Sequence, residues 1–246
     1  MSYAREPREG ALRQEIVRIG QLMYEQGLLC GFEGNLSVRL SPDRILITPS
    51  GLHKGLLRPE QLLIVDASGR LLGYQTEARQ KLRPTSELPM HLEAYRRRPD
   101  IVAVVHAHPP ITVALSIAGV PMDTPLLPEV IALLGFIPMA PYSMSSSEEG
   151  AAAIRDLILR HDAIILQRHG TITVGDSLAQ AFMRLETVEQ NARIHYMLAQ
   201  LGVEGPLQAN EVRKLLQMRR RMGLERDGDA AEFRRLWGVS PDDIGS

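Results

Sequence analysis

Two short apolar runs that end in histidines constrain the fold of this 246-residue chain more than any other feature. The run IVAVVHAH places His106 and His108 two residues apart, and AIILQRHG contains His169 near its end. Apolar runs of this length, bounded by proline or glycine and rich in branched residues, predict buried β-strands. We therefore expect an α/β fold in which reactive side chains lie where two buried strands end.

The spacing of His106 and His108 predicts a metal site. Residues i and i+2 of a strand point to the same face, so both imidazoles can reach one ion while Ala107 faces away. Imidazole ligands that leave one position open for water or substrate are typical of catalytic metal sites. Cys30 is the only cysteine, so no thiolate cluster can form. The alternative interpretation is a set of ordinary hydrogen-bonded histidines, because an HxH pair alone is a weak signal.

Composition favours a single domain in a reducing compartment. A chain of this length with 44% hydrophobic residues can bury one substantial core. The net charge of −1 gives no reason to expect nucleic acid or an anionic membrane as a partner. The RRR triplets at 96–98 and 219–221 are more simply solvated helix faces than a polyanion site. No apolar run could span a bilayer, and the N-terminus resembles no signal peptide, so we expect a soluble cytoplasmic protein.

Hydrophobic periodicity predicts alternating helices and strands. A helix with Leu12, Ile16, Ile19 and Met23 on one face opens the chain, and two hairpins follow at 36–49 and 62–75. Later segments are predicted as helices near 85–98, 109–119, 145–160, 177–200 and 208–222, as strands at 101–108, 163–170 and 171–175, and as an extended stretch at 135–142, with a polar tail at the end.

Three polar loops precede the histidines and suggest a phosphate site. Their glycines and hydroxyls let backbone N–H groups approach an anion, and the third loop stands where a helix begins. Taken singly, each loop is more simply a turn or a helix cap, with Thr85 or Ser86 as the capping residue. The candidate residues are Gly34, Asn35, Ser50, Gly51, Thr85 and Ser86.

Glu87 is the candidate proton carrier. It lies in the predicted first turn of the helix after Pro84, where a carboxylate can serve only as a partner of the helix dipole or of a capping box. If it also faces the metal, it becomes the natural general base. The sequence leaves both interpretations open.

Several ordered motifs together resemble the class II aldolase and adducin superfamily, and within it the sugar-phosphate aldolases typified by L-fuculose-1-phosphate aldolase. The motifs are GNLSVRL at 34–40, LITPSG at 46–51, RPTSELPMHLEAYRRRPDIVAVVHAHPP at 83–110, IPMAPY at 137–142 and LQRHG at 166–170. The resemblance covers roughly residues 11–200. It implies one domain over 1–246, with a central mixed, largely antiparallel sheet flanked by helices and a C-terminal helix and tail from about 205.

The resemblance also implies an activity and a set of roles. His106, His108 and His169 correspond to zinc ligands, and Glu87 corresponds to the acid/base that can also approach the metal when substrate is absent. The polar loops correspond to the phosphate site of the family. The implied reaction is reversible cleavage of a ketose 1-phosphate to dihydroxyacetone phosphate and an aldehyde, in a homotetramer with sites at subunit interfaces. Cobalt or manganese would suit similar ligands.

The chain departs from the fuculose-phosphate aldolases in the residue that handles the proton of the aldehyde-derived oxygen. Those enzymes use a tyrosine from a neighbouring subunit, whereas the corresponding segment MDTPLLPEVIALLG has none. Glu129 is the nearest ionisable candidate, or else a solvated loop residue. Tyr142 is a weaker candidate that we expect to serve packing, and the C-terminal tail lacks the tyrosine of the family. A carboxylic acid in this place suggests a deoxy or methylthio sugar phosphate.

Other activities of the superfamily remain open alternatives. Methylthioribulose-1-phosphate dehydratases share the histidines and carry a glutamate near the Glu129 region, but generally lack an acid at the Glu87 position. Ribulose-phosphate 4-epimerases typically have aspartate there, and decarboxylases of oxo-acid phosphates are also possible. The non-enzymatic adducin heads lose the metal histidines, and the intact set here disfavours that class.

Overall fold

The fold is built around one eight-stranded sheet, seen in a computed structural model that describes residues 7–73 and 81–243. The strands are β1 Asn35–Ser41, β2 Arg44–Ile47, β3 Leu63–Val65, β4 Leu71–Leu72, β5 Ala103–Ala107, β6 Met139–Ala140, β7 Ala163–Leu166 and β8 Gly170–Gly175. Their spatial order is β4-β3-β2-β1-β5-β8-β7-β6. Only the β6–β7 pair is parallel among the described strands, which confirms a mixed, largely antiparallel sheet.

Helices cover both faces of this sheet. They are α1 Pro7–Glu25, α2 Leu88–Arg97, α3 Pro110–Ala118, α4 Glu148–Ile154, α5 Leu178–Leu201, α6 Ala209–Arg221 and α7 Asp229–Trp237. Shorter turns of 3₁₀-helix occur at Lys54–Leu56, Pro59–Gln61 and Leu157–Leu159, and Val130–Leu134 forms a π-helix. None of the helices in the described ranges combines the length and apolarity needed to cross a bilayer.

Alternation along β5 decides which face carries the histidines. Val105 packs in the cluster that contains α1 and α5, whereas Val104 packs with α2 and α4 on the opposite face. His106 is two residues from Val104, so it lies on the face covered by α2. Asn35 of β1 is the cross-strand partner of His106 and shares that face. The sheet register therefore brings the first polar loop beside the first histidine.

Several boundaries differ from the sequence predictions. Helix α2 begins at Leu88, with Glu87 in the N-cap position, and the hydroxyl of Thr85 accepts a hydrogen bond from the N–H of Glu87, one residue before the helix. The expectation that Glu87 lies in the first turn was thus wrong by one position. Ser147 caps α4, and that helix stops at Ile154 before a separate 3₁₀ turn, whereas one helix was predicted over 145–160. The 62–75 hairpin is described only to residue 73, and its last two residues lie outside the described ranges.

The C-terminal region is more ordered than the predicted polar tail. Helix α7 follows α6, and Phe233 packs in a cluster with Ile131 and Phe136. The prediction of a tail was wrong because α7 is short and offers few apolar residues to a periodicity test. Its apolar face is stabilised by contact with the π-helix region rather than by local propensity.

Candidate active site

His106 is fully buried in β5, and one of its ring nitrogens is already committed to the backbone. Its Nδ1 lies 2.8 Å from the carbonyl oxygen of Thr171 on the adjacent strand β8. Because a carbonyl oxygen can only accept, Nδ1 carries the proton and Nε2 presents a lone pair. Fixing the tautomer in this way is a common preparation of an imidazole for metal binding.

His108 lies just beyond the end of β5, and its Nε2 is 2.9 Å from Nε2 of His106. On the other side of its ring, Nδ1 is 3.6 Å from Oε1 of Glu33. The second carboxylate oxygen of Glu33 accepts a hydrogen bond from the backbone N–H of Cys30, which holds the carboxylate in place. Glu33 therefore lies on the Nδ1 side of the His108 ring, and Nε2 of that ring faces the other histidines.

His169 lies in the tight turn at 167–169 between β7 and β8. Arg168 in this turn has a positive φ of 61°, and its backbone N–H donates to the hydroxyl of Ser116 on α3. Gly170 follows, and a Cβ there would overlap the carbonyl oxygen of Ala107. Only a glycine permits this close approach, which brings the turn against the end of β5.

The three imidazoles form a nearly equilateral triangle. Their ring centroids are 4.8, 4.8 and 4.9 Å apart, and one nitrogen from each ring lies within 4.8 Å of the others. Burial lowers the pKa of all three, so they are neutral near pH 7 with lone pairs available. This donor set fits a divalent transition metal bound by three nitrogens, with further positions open. The structure thus brings the three predicted histidines together.

Glu87 lies close to this triangle but outside it. Its carboxylate charge acts to raise the pKa of both His108 and His169, which burial otherwise lowers. Among the described residues, the side chains close enough together to share one metal ion are the three histidines, and Glu87 is not one of them. Oε1 of the buried Glu87 instead accepts a hydrogen bond of 2.7 Å from the hydroxyl of Ser146. The carboxylate is therefore adjacent to the prospective metal while held by another partner.

Backbone hydrogen bonds join the three polar loops predicted from the sequence. The N–H of Ser50 donates to the carbonyl oxygen of Arg83, and the N–H of Thr85 donates to that of Thr48. The hydroxyl of Thr48 in turn accepts from the N–H of Leu36, next to the first loop. The three loops thus meet along one edge of the site, at the start of β1, after β2 and before α2. Candidate residues on them are Gly34, Asn35, Ser50, Gly51, Thr85 and Ser86.

Asn35 is held by a buried hydrogen-bond network beneath the first loop. Its Oδ1 lies 2.5 Å from Nε2 of His91, and Nδ1 of that histidine lies 2.7 Å from the hydroxyl of Ser37. Burial lowers the pKa of His91 to about 3, so its ring is neutral and carries one proton. When that proton is on Nε2, the Asn35 carboxamide is turned with its N–H groups away from His91.

Unlike the three histidines, Glu129 and Tyr142 are exposed side chains. Glu129 precedes the π-helix Val130–Leu134 and is exposed, and among the described residues no hydrogen bond or ion pair joins it to the histidine triangle. Tyr142 has 62% of its surface exposed, so it does not pack in the core of its own chain. Its backbone N–H donates to the side chain of Gln167 in the turn that carries His169. Tyr142 therefore lies beside that turn.

Sequence reasoning missed Glu33, His91 and Ser146 as partners of the site. Glu33 stands next to Gly34, and His91 follows Glu87 by one helical turn, so their places beside candidate residues could have identified them as partners of the site. Ser146 lies in the segment predicted as the start of the 145–160 helix, where nothing local marks it as part of the site. Its contact with Glu87 joins residues 59 apart in the chain, which no local pattern reveals.

Comparison with known proteins identifies relatives of this chain. The family model described as "Class II Aldolase and Adducin N-terminal domain" matches residues 14–196. The 3-oxo-tetronate 4-phosphate decarboxylase of Escherichia coli (strain K12) is 31% identical over 211 residues, which are 84% of this chain and 96% of the relative. The 5-deoxy-D-ribulose 1-phosphate aldolase of Bacillus thuringiensis serovar kurstaki is 33% identical over 205 residues, 82% of this chain and 92% of the relative.

A solved structure extends the similarity to three dimensions. The L-fuculose-1-phosphate aldolase of Thermus thermophilus superposes with a TM-score of 0.66 at 32% identity, covering 80% of this chain and 98% of that one. The range that the family model matches includes all three histidines, Glu87 and the polar loops. The chain belongs to the class II aldolase and adducin family.

Proposed function

We propose that this protein is a metal-dependent lyase that breaks a carbon–carbon bond in a phosphorylated keto sugar and releases dihydroxyacetone phosphate. Its leading form is the reversible retro-aldol cleavage of a ketose 1-phosphate of the L-fuculose, 5-deoxyribulose or 5-methylthioribulose type, with an aldehyde as second product. The observation that supports this most is the triangle of three neutral imidazoles with the Glu87 carboxylate beside it. The named activities of the relatives are of the same kind.

His106, His108 and His169 would hold the ion, with zinc as the first choice and cobalt or manganese as substitutes. A divalent ion there would supply Lewis-acid stabilisation of the negative charge that develops on the substrate oxygens. Neutral imidazoles suit this role because they add no negative charge, so the ion keeps most of its positive charge to stabilise the substrate oxygens. Glu87 could join the ligands when substrate is absent, since its carboxylate is near two of the three rings.

The polar loops would bind the substrate phosphate. The N–H groups of Ser50 and Thr85 already donate to carbonyl oxygens of the neighbouring loops, so the donors offered to a phosphate would be the loop hydroxyls and the carboxamide of Asn35, which His91 holds in place. Gly34 has a φ of +70°, and a Cβ at this position would lie 3.1 Å from the carbonyl oxygen of His106. An anion at this edge would sit next to the start of α2, which favours negative charge.

Glu87 would move the proton at the substrate carbon. In the cleavage direction, the hydroxyl proton at C4 leaves as the C3–C4 bond breaks, and the bonding electrons pass to the C2 oxygen of the three-carbon fragment. Glu87 would then deliver a proton to C3 to give dihydroxyacetone phosphate, and in condensation it would remove that proton. Glu129 is the proposed acceptor of the C4 hydroxyl proton, with Tyr142 as the competing candidate.

The position of Glu129 ties its role to assembly. It is exposed and lacks a described contact with the histidines of its own chain, so we propose that it acts in the site of a neighbouring copy within a homotetramer.

The proposal also includes a cytoplasmic location, consistent with a single exposed cysteine and a sugar-phosphate substrate.

Decarboxylation of an oxo-acid phosphate is the second candidate. It is favoured by the similarity to the Escherichia coli decarboxylase over 84% of this chain. In a 3-oxo-tetronate 4-phosphate, loss of carbon dioxide breaks the bond between the carboxylate and C2 and leaves the same three-carbon enediolate. The remaining step is protonation of carbon by Glu87. No acceptor for a second hydroxyl proton is needed, which suits a chain without tyrosine in the 119–135 segment.

A substrate panel with coupled detection of dihydroxyacetone phosphate tests the proposal. The metal-loaded protein would be given L-fuculose 1-phosphate, 5-deoxyribulose 1-phosphate, 5-methylthioribulose 1-phosphate and 3-oxo-tetronate 4-phosphate. Dihydroxyacetone phosphate with an aldehyde supports the aldolase, and the same product with carbon dioxide supports the decarboxylase. Water loss or a C4 epimer without this product would replace lyase chemistry by the dehydratase or epimerase alternative. A protein that binds no metal and converts no substrate would point to an adducin-like module.

A further inference from the structure

Lys54 carries a buried amino group that none of the proposed catalytic steps uses. Only 2% of its surface is exposed, and it begins the 3₁₀ turn Lys54–Leu56, which packs against α1. A Cβ at Gly20 of α1 would lie 2.6 Å from the carbonyl oxygen of Lys54, so a glycine there allows the close approach. Lysine ordinarily keeps its ammonium in water, because burying a charge is costly. A buried lysine at this position therefore needs a compensating role.

The ammonium of Lys54 joins the first two polar loops. Its Nζ donates to the carbonyl oxygen of Phe32 at 2.9 Å and to that of Leu52 at 2.6 Å. Phe32 comes two residues before Gly34, and Leu52 directly follows Gly51. Both glycines belong to the proposed phosphate loops. One side chain thus fixes the distance between the loop before β1 and the loop after β2.

The positive charge of Lys54 has no counter-ion within the described part of the chain. Both partners of Nζ are neutral carbonyl oxygens, and no described carboxylate forms an ion pair with it. Burial lowers the pKa of Lys54 to about 8, so the amino group is mostly protonated at neutral pH. Buried charges in proteins are ordinarily paired. The charge is therefore available to a bound anion.

The loop contact alone does not account for a charged side chain. Two carbonyl oxygens can be bridged by any pair of N–H donors, which a neutral carboxamide also offers. The six candidate residues of the phosphate loops are themselves neutral. The carboxylates of Glu33 and Glu87 border the histidine triangle and oppose the approach of a dianion. A buried ammonium close to the loops offsets this repulsion, and low surrounding polarity strengthens its effect.

We propose that Lys54 is the buried counter-charge of the phosphate site, holding the first two loops together and stabilising the dianion of the substrate phosphate. This inference rests on the phosphate role proposed for the polar loops. Lys54 is a positioning residue that acts through the loops and through its charge. The site should therefore select by charge as well as by shape. It should bind a phosphate monoester more tightly than a sulfate ester of the same shape.

The test compares Lys54→Met with the wild type as full-length, zinc-loaded proteins. Calorimetry would measure the Kd of glycerol 3-phosphate and of glycerol 3-sulfate, which at about pH 7.5 carry nearly two charges and one charge respectively. Because Coulomb energy is proportional to ligand charge, Lys54→Met should weaken the phosphate ester roughly tenfold and the sulfate ester about threefold. Lys214→Met is the matched control, since it removes the same charge from an exposed position on α6. It should leave both Kd values unchanged.

A pH series tests the same charge without relying on the Met variant. Between about pH 7 and pH 9.5 the amino group of Lys54 loses its proton, so wild-type affinity for the phosphate ester should fall to the level of Lys54→Met. Tyr24 of α1, the adjacent His53, and Cys30 and Glu33 of the first loop surround this segment. All four remain in Lys54→Met, so the difference between the two series belongs to Lys54. If Lys54→Met does not fold, Lys54→Arg replaces it, because a guanidinium keeps its charge throughout and should give a constant Kd.

The outcomes separate this inference from the proposed function. Equal weakening of both esters by Lys54→Met would overturn the charge role in favour of loop geometry alone. Unchanged Kd values in Lys54→Met, or a wild-type affinity independent of pH, would overturn it as well. If the wild type binds the phosphate ester as expected but converts no substrate, the lyase proposal fails and the inference stands. If the wild type binds neither ester, the phosphate role of the loops fails and the inference fails with it.

Discussion

At the scale of the residue, His106 differs from other candidates because one ring nitrogen is hydrogen-bonded to the backbone and the other faces the histidine triangle. Its Nδ1 donates to the Thr171 carbonyl, and its Nε2 faces Nε2 of His108. Glu87 has a different arrangement, since its Oε1 is held by a hydroxyl beside the triangle. The two side chains should therefore respond differently to mutation: His106 through metal affinity, and Glu87 through proton transfer.

Glu87→Gln should keep the metal and lose turnover. The amide has nearly the same shape but cannot take up a proton, so we expect kcat to fall about 10²–10⁴-fold. His106→Ala should instead lose both the metal and the activity, because one of three ligands is removed. Metal content by elemental analysis and product release by coupled assay would be measured on both variants. Turnover within a few-fold of wild type in Glu87→Gln would refute the proposed role.

Glu129→Gln should change how the aldehyde is handled. If Glu129 serves the aldehyde-derived oxygen in a neighbouring copy, the variant should lower kcat/KM for cleavage and for condensation with every aldehyde, whereas Tyr142→Phe should have little effect. Kinetics would be compared across several aldehydes with both variants. Identical profiles for wild type and Glu129→Gln would leave this residue as a solvated loop position, and a loss confined to Tyr142→Phe would transfer the role.

At the scale of the element, the site is assembled by the contact of the β7–β8 turn with the end of β5. Gly170 begins β8, and its absent side chain allows the turn to approach Ala107 and His108. The pairing of Asn35 with His106 similarly fixes the first polar loop. Strand register, rather than any single side chain, therefore sets the relative positions of the proposed ligands and phosphate loops.

Gly170→Ala should destabilise the fold and weaken metal binding. A Cβ there would overlap the Ala107 carbonyl oxygen and lie 2.8 Å from the His108 ring, so the turn must move. We expect a loss of about 1–3 kcal/mol in the free energy of unfolding, typical of overpacking. Gly205→Ala is the matched control, since nothing lies within 4 Å of its added Cβ. Equal stability and metal affinity in the two variants would contradict this account of the turn.

Elements with a clear hydrophobic periodicity were predictable from the sequence, but their spatial order was not. The strand that carries His106 and the helix that begins near Glu87 follow from apolar patterns and turn residues. The β1–β5–β8 neighbourhood depends on pairing between distant segments, which local patterns do not encode. The π-helix and α7 were missed because mutual packing, not propensity, stabilises them. At the site, the histidines were predictable, whereas the Ser146 contact depends on tertiary proximity.

At the scale of the whole molecule, Asp162 connects the C-terminal region to the sheet. Its buried carboxylate pairs with Arg98 after α2, Arg184 of α5 and Arg226 between α6 and α7. Burial alone would raise the pKa of Asp162, but these arginines outweigh it and hold the pKa below its usual value. Removing this one charge would leave one buried and two half-buried guanidinium groups without their common partner.

Asp162→Asn should therefore lower the free energy of unfolding by about 3 kcal/mol at neutral pH. A carboxyl whose pKa is depressed on folding stabilises the native state above its unfolded pKa, and this contribution disappears as pH falls through the folded pKa. The difference between wild type and variant should thus shrink below about pH 4. Denaturant unfolding at a series of pH values would measure it. A difference independent of pH would show that the charge of Asp162 is not the cause.

The most direct test of the central proposal is the dependence of dihydroxyacetone phosphate release on metal. The protein would be stripped by chelation, assayed with the substrate that performs best in the panel, and titrated with zinc. We predict that activity disappears on stripping and returns in proportion to the metal bound, reaching its maximum at one ion per chain, while His106→Ala recovers none. Undiminished release by the fully stripped protein, or no release from any candidate substrate at full metal occupancy, would contradict the account.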